Sequence, residues 1–151
     1  MNAVPQNSVN AAPQQSKAQI SGIDIIRNDF QSQNPGMTFD KFQHKLLTVI
    51  KNPNNKLVRY GNTVFLLMKK TPELVELHTF TQDNVPALVK NFQDLAKSLK
   101  NMGIKTVMTY ADSPAYLKVA QATGLPVKTG QSTKVIKGAA KPVYTFTLDL
   151  K

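Results

Sequence analysis

The chain has 151 residues, 41% of them hydrophobic, which suits one globular domain with a single core. Lysine and arginine outnumber aspartate and glutamate by 19 to 9, so the formal net charge is +10 and acidic partners are favoured. The absence of cysteine excludes disulfides and cysteine nucleophiles, and two histidines are too few for a zinc site, so we expect no bound metal. Apolar runs long enough to span a bilayer are missing, so we expect no membrane contact.

Residues 1–19 are rich in Asn, Gln, Ala, Ser and Pro and carry one lysine. Such a segment buries too little apolar surface to offset the entropy that ordering it would cost. We therefore expect a flexible N-terminal arm over residues 1–19, followed by one domain over residues 20–151. The arm has neither the basic start nor the apolar middle of a secretory signal, so we expect no export by a signal peptide.

Two elements are predicted before residue 52. The β-branched run over residues 20–28 predicts a first strand, and a turn follows at residues 34–37. Thr38 is placed to cap a helix whose apolar residues recur at three- and four-residue spacing as far as Ile50. The expected beginning of the domain is therefore a strand followed by an amphipathic helix.

A meander and a long helix come next. Three short β-branched and aromatic stretches lie within residues 56–81, and their turns at residues 61–62 and 71–72 are typical of an antiparallel meander. A continuous apolar stripe from Val85 to Met102 predicts a long helix, which Gly103 ends.

The C-terminal third predicts a strand over residues 104–110 and a short helix that begins with Ser113 and Pro114 and closes at Gly124. A strand or a loop follows, and residues 142–150 alternate between apolar and polar side chains and predict a half-buried strand. The fold class predicted by this order is α+β, with a mixed, mostly antiparallel central sheet and helices on its faces.

The order of these elements resembles the GNAT acyltransferase fold, whose members move acetyl groups from acetyl-CoA to amines. The resemblance implies a Q/R-x-x-G-x-G/A loop before the long helix, where backbone N–H groups and the helix dipole hold the CoA pyrophosphate. The matching stretch is QDNVPA, in which Gln82 and Ala87 keep the outer positions. Val85 replaces the first glycine, and Pro86 has no N–H to donate.

These replacements favour an ordinary helix start over a cofactor loop, with Asp83 or Asn84 as the cap. We therefore expect no cofactor. In the alternative that acetyl-CoA does bind, the resemblance implies that its contacts are at Gln82, Val85, Ala87, Leu88 and Ser113.

A second GNAT motif, N-x-x-A-x-x-L-Y-x-x-x-G-F, implies an Asn that touches CoA and a Tyr that protonates the leaving thiolate. Counting back from Gly124 puts Ser113 at the Asn position and Ala120 at the Tyr position. Ala120 cannot donate a proton, while Tyr116 lies one helical turn earlier on the same face. We interpret Tyr116 as a core or rim aromatic, and as the acid only if the protein is active.

Glu76 and His78 alternate on one face of a predicted strand with Leu74 and Phe80. The GNAT resemblance implies that a carboxylate on the middle strands deprotonates the amine. We interpret the two side chains as polar groups where the sheet meets solvent, and as an acid–base site only in an active enzyme.

Lysines accumulate between residues 113 and 148, a stretch without any acidic residue. A flexible basic loop here would neutralise phosphates without reading sequence, so non-specific nucleic acid is an alternative partner. Its candidate contacts are Lys118, Lys128, Lys134, Lys137 and Lys141.

The short length, polar arm and eroded CoA motif are similar to small GNAT-like proteins of bacteriophages, including internal virion proteins. The first hypothesis is therefore a non-catalytic protein, in the cytoplasm or within a virion, whose arm docks on a larger protein assembly. The alternatives are an active acetyl-CoA-dependent N-acetyltransferase and a basic polyanion-binding accessory protein.

Overall fold

A computed structural model describes residues 20–111, 115–136 and 138–150. The helices are α1 (Gly22–Gln33), α2 (Phe39–Ile50), α3 (Val85–Asn101) and α4 (Ala115–Ala122). The strands are β1 (Asn55–Tyr60), β2 (Thr63–Thr71), β3 (Leu74–Thr81), β4 (Thr106–Ala111), β5 (Val127–Ile136) and β6 (Ala139–Asp149). Within these ranges no helix is long and apolar enough to cross a membrane.

The strands form one six-stranded sheet in the order β1-β2-β3-β4-β6-β5. Every neighbouring pair is antiparallel except β3 and β4. The first two helices pack on one face of the sheet, and α3 packs on the other. This architecture confirms the predicted α+β class and the predicted meander of β1, β2 and β3.

The parallel pair β3 and β4 is joined only at its beginning. Its register runs from Leu74 with Thr106 to Glu76 with Met108 and stops there. Both strands continue, β3 to Thr81 on its β2 side and β4 on its β6 side. The sheet therefore opens between β3 and β4 in its middle, where parallel strands would normally continue their ladder.

The predicted first strand is wrong, because residues 22–33 form α1. Ser21 Oγ accepts a hydrogen bond from the Asp24 N–H and caps the helix. Ile25, Ile26 and Asp29 are buried, and their spacing puts them on one helical face. The β-branched residues had suggested a strand, but tertiary burial of this face outweighs that local preference.

One apolar core lies on each side of the sheet. Phe65, Leu67 and Leu77 face α3, where Leu95 and Leu99 cover them. On the other side, Val64 and Leu66 pack against the isoleucines of α1 and against Leu46 and Phe39 of α2. Alternate residues of β2 therefore serve different cores, as the pleat of a sheet covered on both faces requires.

A buried polar cluster fixes the connection from β3 to α3. Asp83 Oδ2 accepts hydrogen bonds from the Asn62 N–H at 2.9 Å, the Thr63 hydroxyl at 2.8 Å and the Asn91 side-chain amide at 2.9 Å. Gly61, in the adjoining β1–β2 turn, has φ +57° and only 3.2 Å between the position of a Cβ and Asp83 Oδ2. The turn and the start of α3 are thus held in one position relative to each other.

The basic stretch after α4, for which a strand or a loop was expected, is a strand over residues 127–136 and not a flexible loop; it pairs with β6, which confirms the strand predicted over residues 142–150. Its register pairs Val127 with Leu148 and Ile136 with Ala139, around a turn in which Gly138 has φ +78°. Pairing with β6 gives the backbone N–H and C=O groups of β5 hydrogen-bond partners that a loop would find in water. The Gly- and Thr-containing segment is therefore extended.

The long and short helices are placed as predicted. α3 begins at Val85 and α4 ends at Ala122, with Gly103 and Gly124 following them at positive φ. Thr38 is the N-cap residue of α2, although its side chain makes no capping hydrogen bond. Residues 1–19, the predicted arm, and Ser113 and Pro114, the predicted cap of α4, lie outside the described residues.

Candidate active site

A cavity of about 340 Å³ occupies the opening between β3 and β4. Phe92 of α3 lines it from one face of the sheet, and Phe42 of α2 lines it from the other. His78, Thr79 and Phe80 of β3 and Thr109, Tyr110 and Ala111 of β4 form its sides. The divergence of the strands thus creates a passage in which backbone and side chains of both strands are accessible to a ligand.

Glu76 and His78 meet beside this cavity, on the face of β3 that α1 and α2 cover. His78 Nε2 lies 2.7 Å from Glu76 Oε2, and Lys70 Nζ lies 3.7 Å from Glu76 Oε1. The Glu76 side chain is 15% exposed and the His78 side chain 38%. A carboxylate that holds one imidazole nitrogen fixes the ring and leaves the other nitrogen for a substrate, which is the arrangement of an oriented general base.

Asp29 brings a second carboxylate to the cavity, from α1. It is 8% exposed, accepting hydrogen bonds from the Gln33 side chain at 2.9 Å and from the Thr81 N–H at 3.4 Å. Burial raises the pKa of this carboxyl above its usual 3.8, and the two hydrogen bonds act against that rise. Asp29 is therefore a poorly hydrated carboxyl group that a ligand in the cavity could hydrogen-bond in place of water.

Backbone groups of β3 point into the opening. Gln82 donates its N–H to Asn62 O, which places even-numbered residues of β3 in hydrogen-bonded pairs with β2. The N–H and C=O groups of Leu77, Thr79 and Thr81 consequently face β4. The Thr109 hydroxyl donates to Leu77 O at 2.6 Å across the opening, and Asp29 Oδ1 accepts a hydrogen bond from the Thr81 N–H.

The start of α3 shows why the stretch QDNVPA needs no glycine. Asn84 is the N-cap, and its side chain accepts from the Ala87 N–H at 3.0 Å. Val85 is the first helical residue, so its backbone has the ordinary right-handed conformation. Pro86 sits in the first turn, where a missing N–H costs little.

Fewer backbone donors remain at this helix start than the GNAT loop offers. The Ala87 N–H is taken by the cap, and the Leu88 N–H bonds to Asn84 O. Among the described contacts, the N–H groups of Asn84 and Val85 have no protein acceptor. The Val85 side chain is 55% exposed and stands beside them. Gln82 is exposed and donates its side-chain amide to its neighbour Thr81.

The residues predicted on α4 are placed only in part. Tyr116 lies in the backbone of α4, its side chain is not described, and Ser113 is outside the described residues. Ala120 lines a second, apolar cavity of about 80 Å³ on the α3 side of the sheet, together with Phe92 and Thr109. The GNAT tyrosine position is thus occupied by a methyl group facing an apolar space.

The predicted basic residues spread over two elements rather than one loop. Lys118 is exposed on α4, and Lys128 on β5 pairs with Asp149 Oδ2 at 3.6 Å. Lys134 and Lys141 are opposite each other in the hairpin register, and Lys137 lies outside the described residues. Contacts with nucleic acid and the docking of the arm on a larger assembly stay predictions.

Sequence reasoning missed Asp29, Thr109 and Tyr110, which the structure brings to the cavity. The predicted first strand ends just before Asp29, and Thr109 and Tyr110 belong to an ordinary predicted strand. A buried carboxylate on the apolar face of an amphipathic helix is the signal that would have revealed Asp29. For Thr109 and Tyr110 the signal is not local, because only the divergence of β3 and β4 exposes them. Across the described residues no group of His, Asp and Glu is arranged to hold a metal ion.

No protein-family model matches the chain, and no curated protein matches its sequence. Solved structures match its fold. Spermidine N-acetyltransferase from Vibrio cholerae in complex with CoA and spermine aligns with a TM-score of 0.62 and 10% identity, over 88% of this chain and 94% of that one. A GNAT superfamily phosphinothricin acetyltransferase from Sinorhizobium meliloti in complex with AcCoA aligns with a TM-score of 0.56 and 11% identity, over 88% of this chain and 86% of that one.

The chain therefore has the GNAT acetyltransferase fold, as the order of its elements predicted. The first functional hypothesis, a non-catalytic virion-associated component, is wrong: the similar structures are N-acetyltransferases, and nothing among them points to a structural role in a virion. That hypothesis had relied on the absence of glycine at Val85, and the helix start forms without one.

Proposed function

We propose that the protein is an acetyl-CoA-dependent N-acetyltransferase. The observation that carries this proposal is the opening between β3 and β4, with the His78 and Glu76 pair beside it. A cavity lined from both faces of the sheet allows two substrates to approach one point from opposite sides. The relatives in fold bind CoA or acetyl-CoA, which supports the assignment of the cofactor.

The residues around the opening fit such a cofactor. The N–H and C=O of Thr79 face the opening, where they can hydrogen-bond the amide groups in the extended chain of CoA. The N–H groups of Asn84 and Val85, at the positive end of the α3 dipole, are placed to hold a diphosphate, with Gln82, Ala87 and Leu88 around them. When bound, acetyl-CoA would supply an acetyl thioester: its C–S bond breaks as the C–N bond to the neutral amine forms, and the proton that the amine loses balances the one that the departing sulfur takes up as the CoA thiol.

His78 is the group that we assign to take the proton from the amine. Glu76 holds the ring through the 2.7 Å contact and stabilises the imidazolium that forms. We assign Tyr110, which lines the same cavity, as the acid that protonates the departing sulfur. This role replaces the one that the GNAT motif would give to position 120, where alanine cannot donate, and leaves Tyr116 of α4 as the second candidate.

Calorimetric titration of acetyl-CoA into the full chain tests the cofactor, and thiol release in the presence of amines tests the transfer. We expect saturable acetyl-CoA binding, and a release rate that rises with amine concentration and falls in Tyr110→Phe. Tyr144→Phe, in β6 and not among the described lining residues of the cavity, is the control. Absence of acetyl-CoA binding at millimolar concentration would overturn the proposal.

A further inference from the structure

We infer that the amine acceptor is a small amine with a single positive charge, carried on an aromatic or branched apolar body. This inference rests on the proposed function and names the class of its second substrate. It is drawn from the wall of the cavity on the side of α1 and α2, where shape, aromatic content and charge point to the same class.

Three phenylalanines form the apolar part of this wall. The rings of Phe30 and Phe42 are stacked with 4.6 Å between centroids, and Phe80 meets Phe42 edge-on at 5.8 Å. All three line the cavity, so the cluster presents part of its surface to a ligand instead of being closed within the core. Aromatic surface of this kind binds apolar bodies by burial and attracts cations through the ring faces.

The described lining of the cavity holds one carboxylate and neither lysine nor arginine, although the chain as a whole carries +10. Asp29 is that carboxylate, while Glu76, behind His78, already pairs with Lys70. An ionised carboxylate has about four acceptor positions, and Asp29 has described hydrogen bonds from Gln33 and Thr81. It can therefore accept a further bond from an ammonium group.

The charged groups of the described lining argue against two other classes of amine. A polyamine needs a carboxylate near each of its separated charges, and the described lining offers Asp29 alone. An amino acid needs a cation for its carboxylate, and neither lysine nor arginine belongs to the described lining. The volume of about 340 Å³ is at the small end of ligand sites, which favours a small molecule over a peptide.

The test measures binding of four probe amines to the full chain by calorimetry, first without acetyl-CoA. The probes are 2-phenylethylamine, propylamine, spermidine and phosphinothricin. We expect 2-phenylethylamine to bind about tenfold or more tightly than propylamine, because its ring buries apolar surface. Tighter binding of spermidine or phosphinothricin, or equal binding of all four, would overturn the inference.

Two substitutions locate the site. Asp29→Asn keeps the shape of the side chain and should weaken 2-phenylethylamine binding about tenfold, the usual loss for a hydrogen bond to a charged group. Asp24→Asn changes a partly exposed carboxylate on the same helix, which pairs with Arg27, and should change nothing. Phe42→Leu should weaken 2-phenylethylamine and leave propylamine unchanged. Equal effects of Asp29→Asn and Asp24→Asn would contradict the assignment.

Thiol release with the same probes separates this inference from the proposed function. Rapid transfer to spermidine supports acetyl transfer and overturns the acceptor class. Selective binding of 2-phenylethylamine without any transfer supports the acceptor site and counts against the enzyme. Acetylation of added protein, with none of the free amines, overturns the inference as well.

Discussion

His78 Nε2 and Glu76 Oε2 lie 2.7 Å apart on the face of β3 that α1 and α2 cover. The two residues are neighbours on one side of a strand, where alternate side chains point the same way. Their strand leaves its parallel partner directly after Glu76. The pair consequently stands at the edge of the opening, and not within a continuous sheet where its polar groups would meet only protein.

Replacing His78 by Gln should lower kcat for amine acetylation about a hundredfold or more, because a positioned general base contributes on that scale. Glu76→Gln should lower it less, since the imidazole remains. The control is His44→Gln, on the exposed side of α2, which should leave kcat unchanged. Steady-state kinetics at saturating acetyl-CoA measures the difference; equal rates for the His78 and His44 variants would exclude His78 as the base.

Asp29→Asn should gain stability relative to the unchanged protein as the pH rises from 3.8 to neutral. Burial raises the pKa of Asp29 in the folded state, so the folded protein binds this proton more tightly than the unfolded chain. Stability is therefore lost as the pH rises from the ordinary pKa of 3.8 through the raised one, and asparagine avoids that loss.

Urea unfolding at neutral pH and at pH values below 3.8 measures this effect. The advantage of the variant should be present at neutral pH and shrink in acid, where the carboxyl is protonated in both states. An advantage that is independent of pH, or that grows in acid, would show that the charge of Asp29 is not its cause.

Asp83→Ala should destabilise the fold by about 1–3 kcal/mol, because it removes an acceptor that three donors share and leaves the Asn62 N–H without one. Those donors are the Asn62 N–H, the Thr63 hydroxyl and the Asn91 amide. Asp94→Ala removes a carboxylate that pairs with the exposed Lys90 on α3, and should cost no more than about 1 kcal/mol. Thermal and chemical unfolding of both variants tests the contrast, and similar losses would contradict the role of the cluster.

Val85→Gly should increase the affinity for acetyl-CoA severalfold, because it removes an exposed side chain beside the free N–H groups at the start of α3. The same substitution should cost about 0.5–1 kcal/mol of stability through helix propensity. Val85→Ala separates the two effects, since it clears the side chain and keeps the helix. Met102→Gly, at the other end of the helix, should leave binding unchanged. Calorimetric titration decides, and an unaltered dissociation constant in Val85→Gly would show that the valine does not obstruct the cofactor.

Part of the candidate site was open to prediction from sequence. Glu76 and His78 stood out because their strand alternates, and alternation is a local property. Asp29 was misplaced because residues 20–28 are β-branched enough to suggest a strand, while their burial as a helix depends on the sheet beneath them. For the same reason the sequence does not distinguish β5 from a loop, since its extended form depends on pairing with β6, whereas the alternation of β6 predicts a strand.

The sequence by itself determined the elements with a strong period: the amphipathic helices α2 and α3, the meander, and the order that resembles the GNAT fold. Only the tertiary structure decided that β3 and β4 pair as far as Glu76 and Met108 and then diverge. That divergence brings Asp29, Tyr110 and the His78 and Glu76 pair around one cavity. The physical reason is that the periods of helices and strands depend on residues close together in sequence. The point at which a parallel ladder ends depends instead on how helices pack on both faces of the sheet.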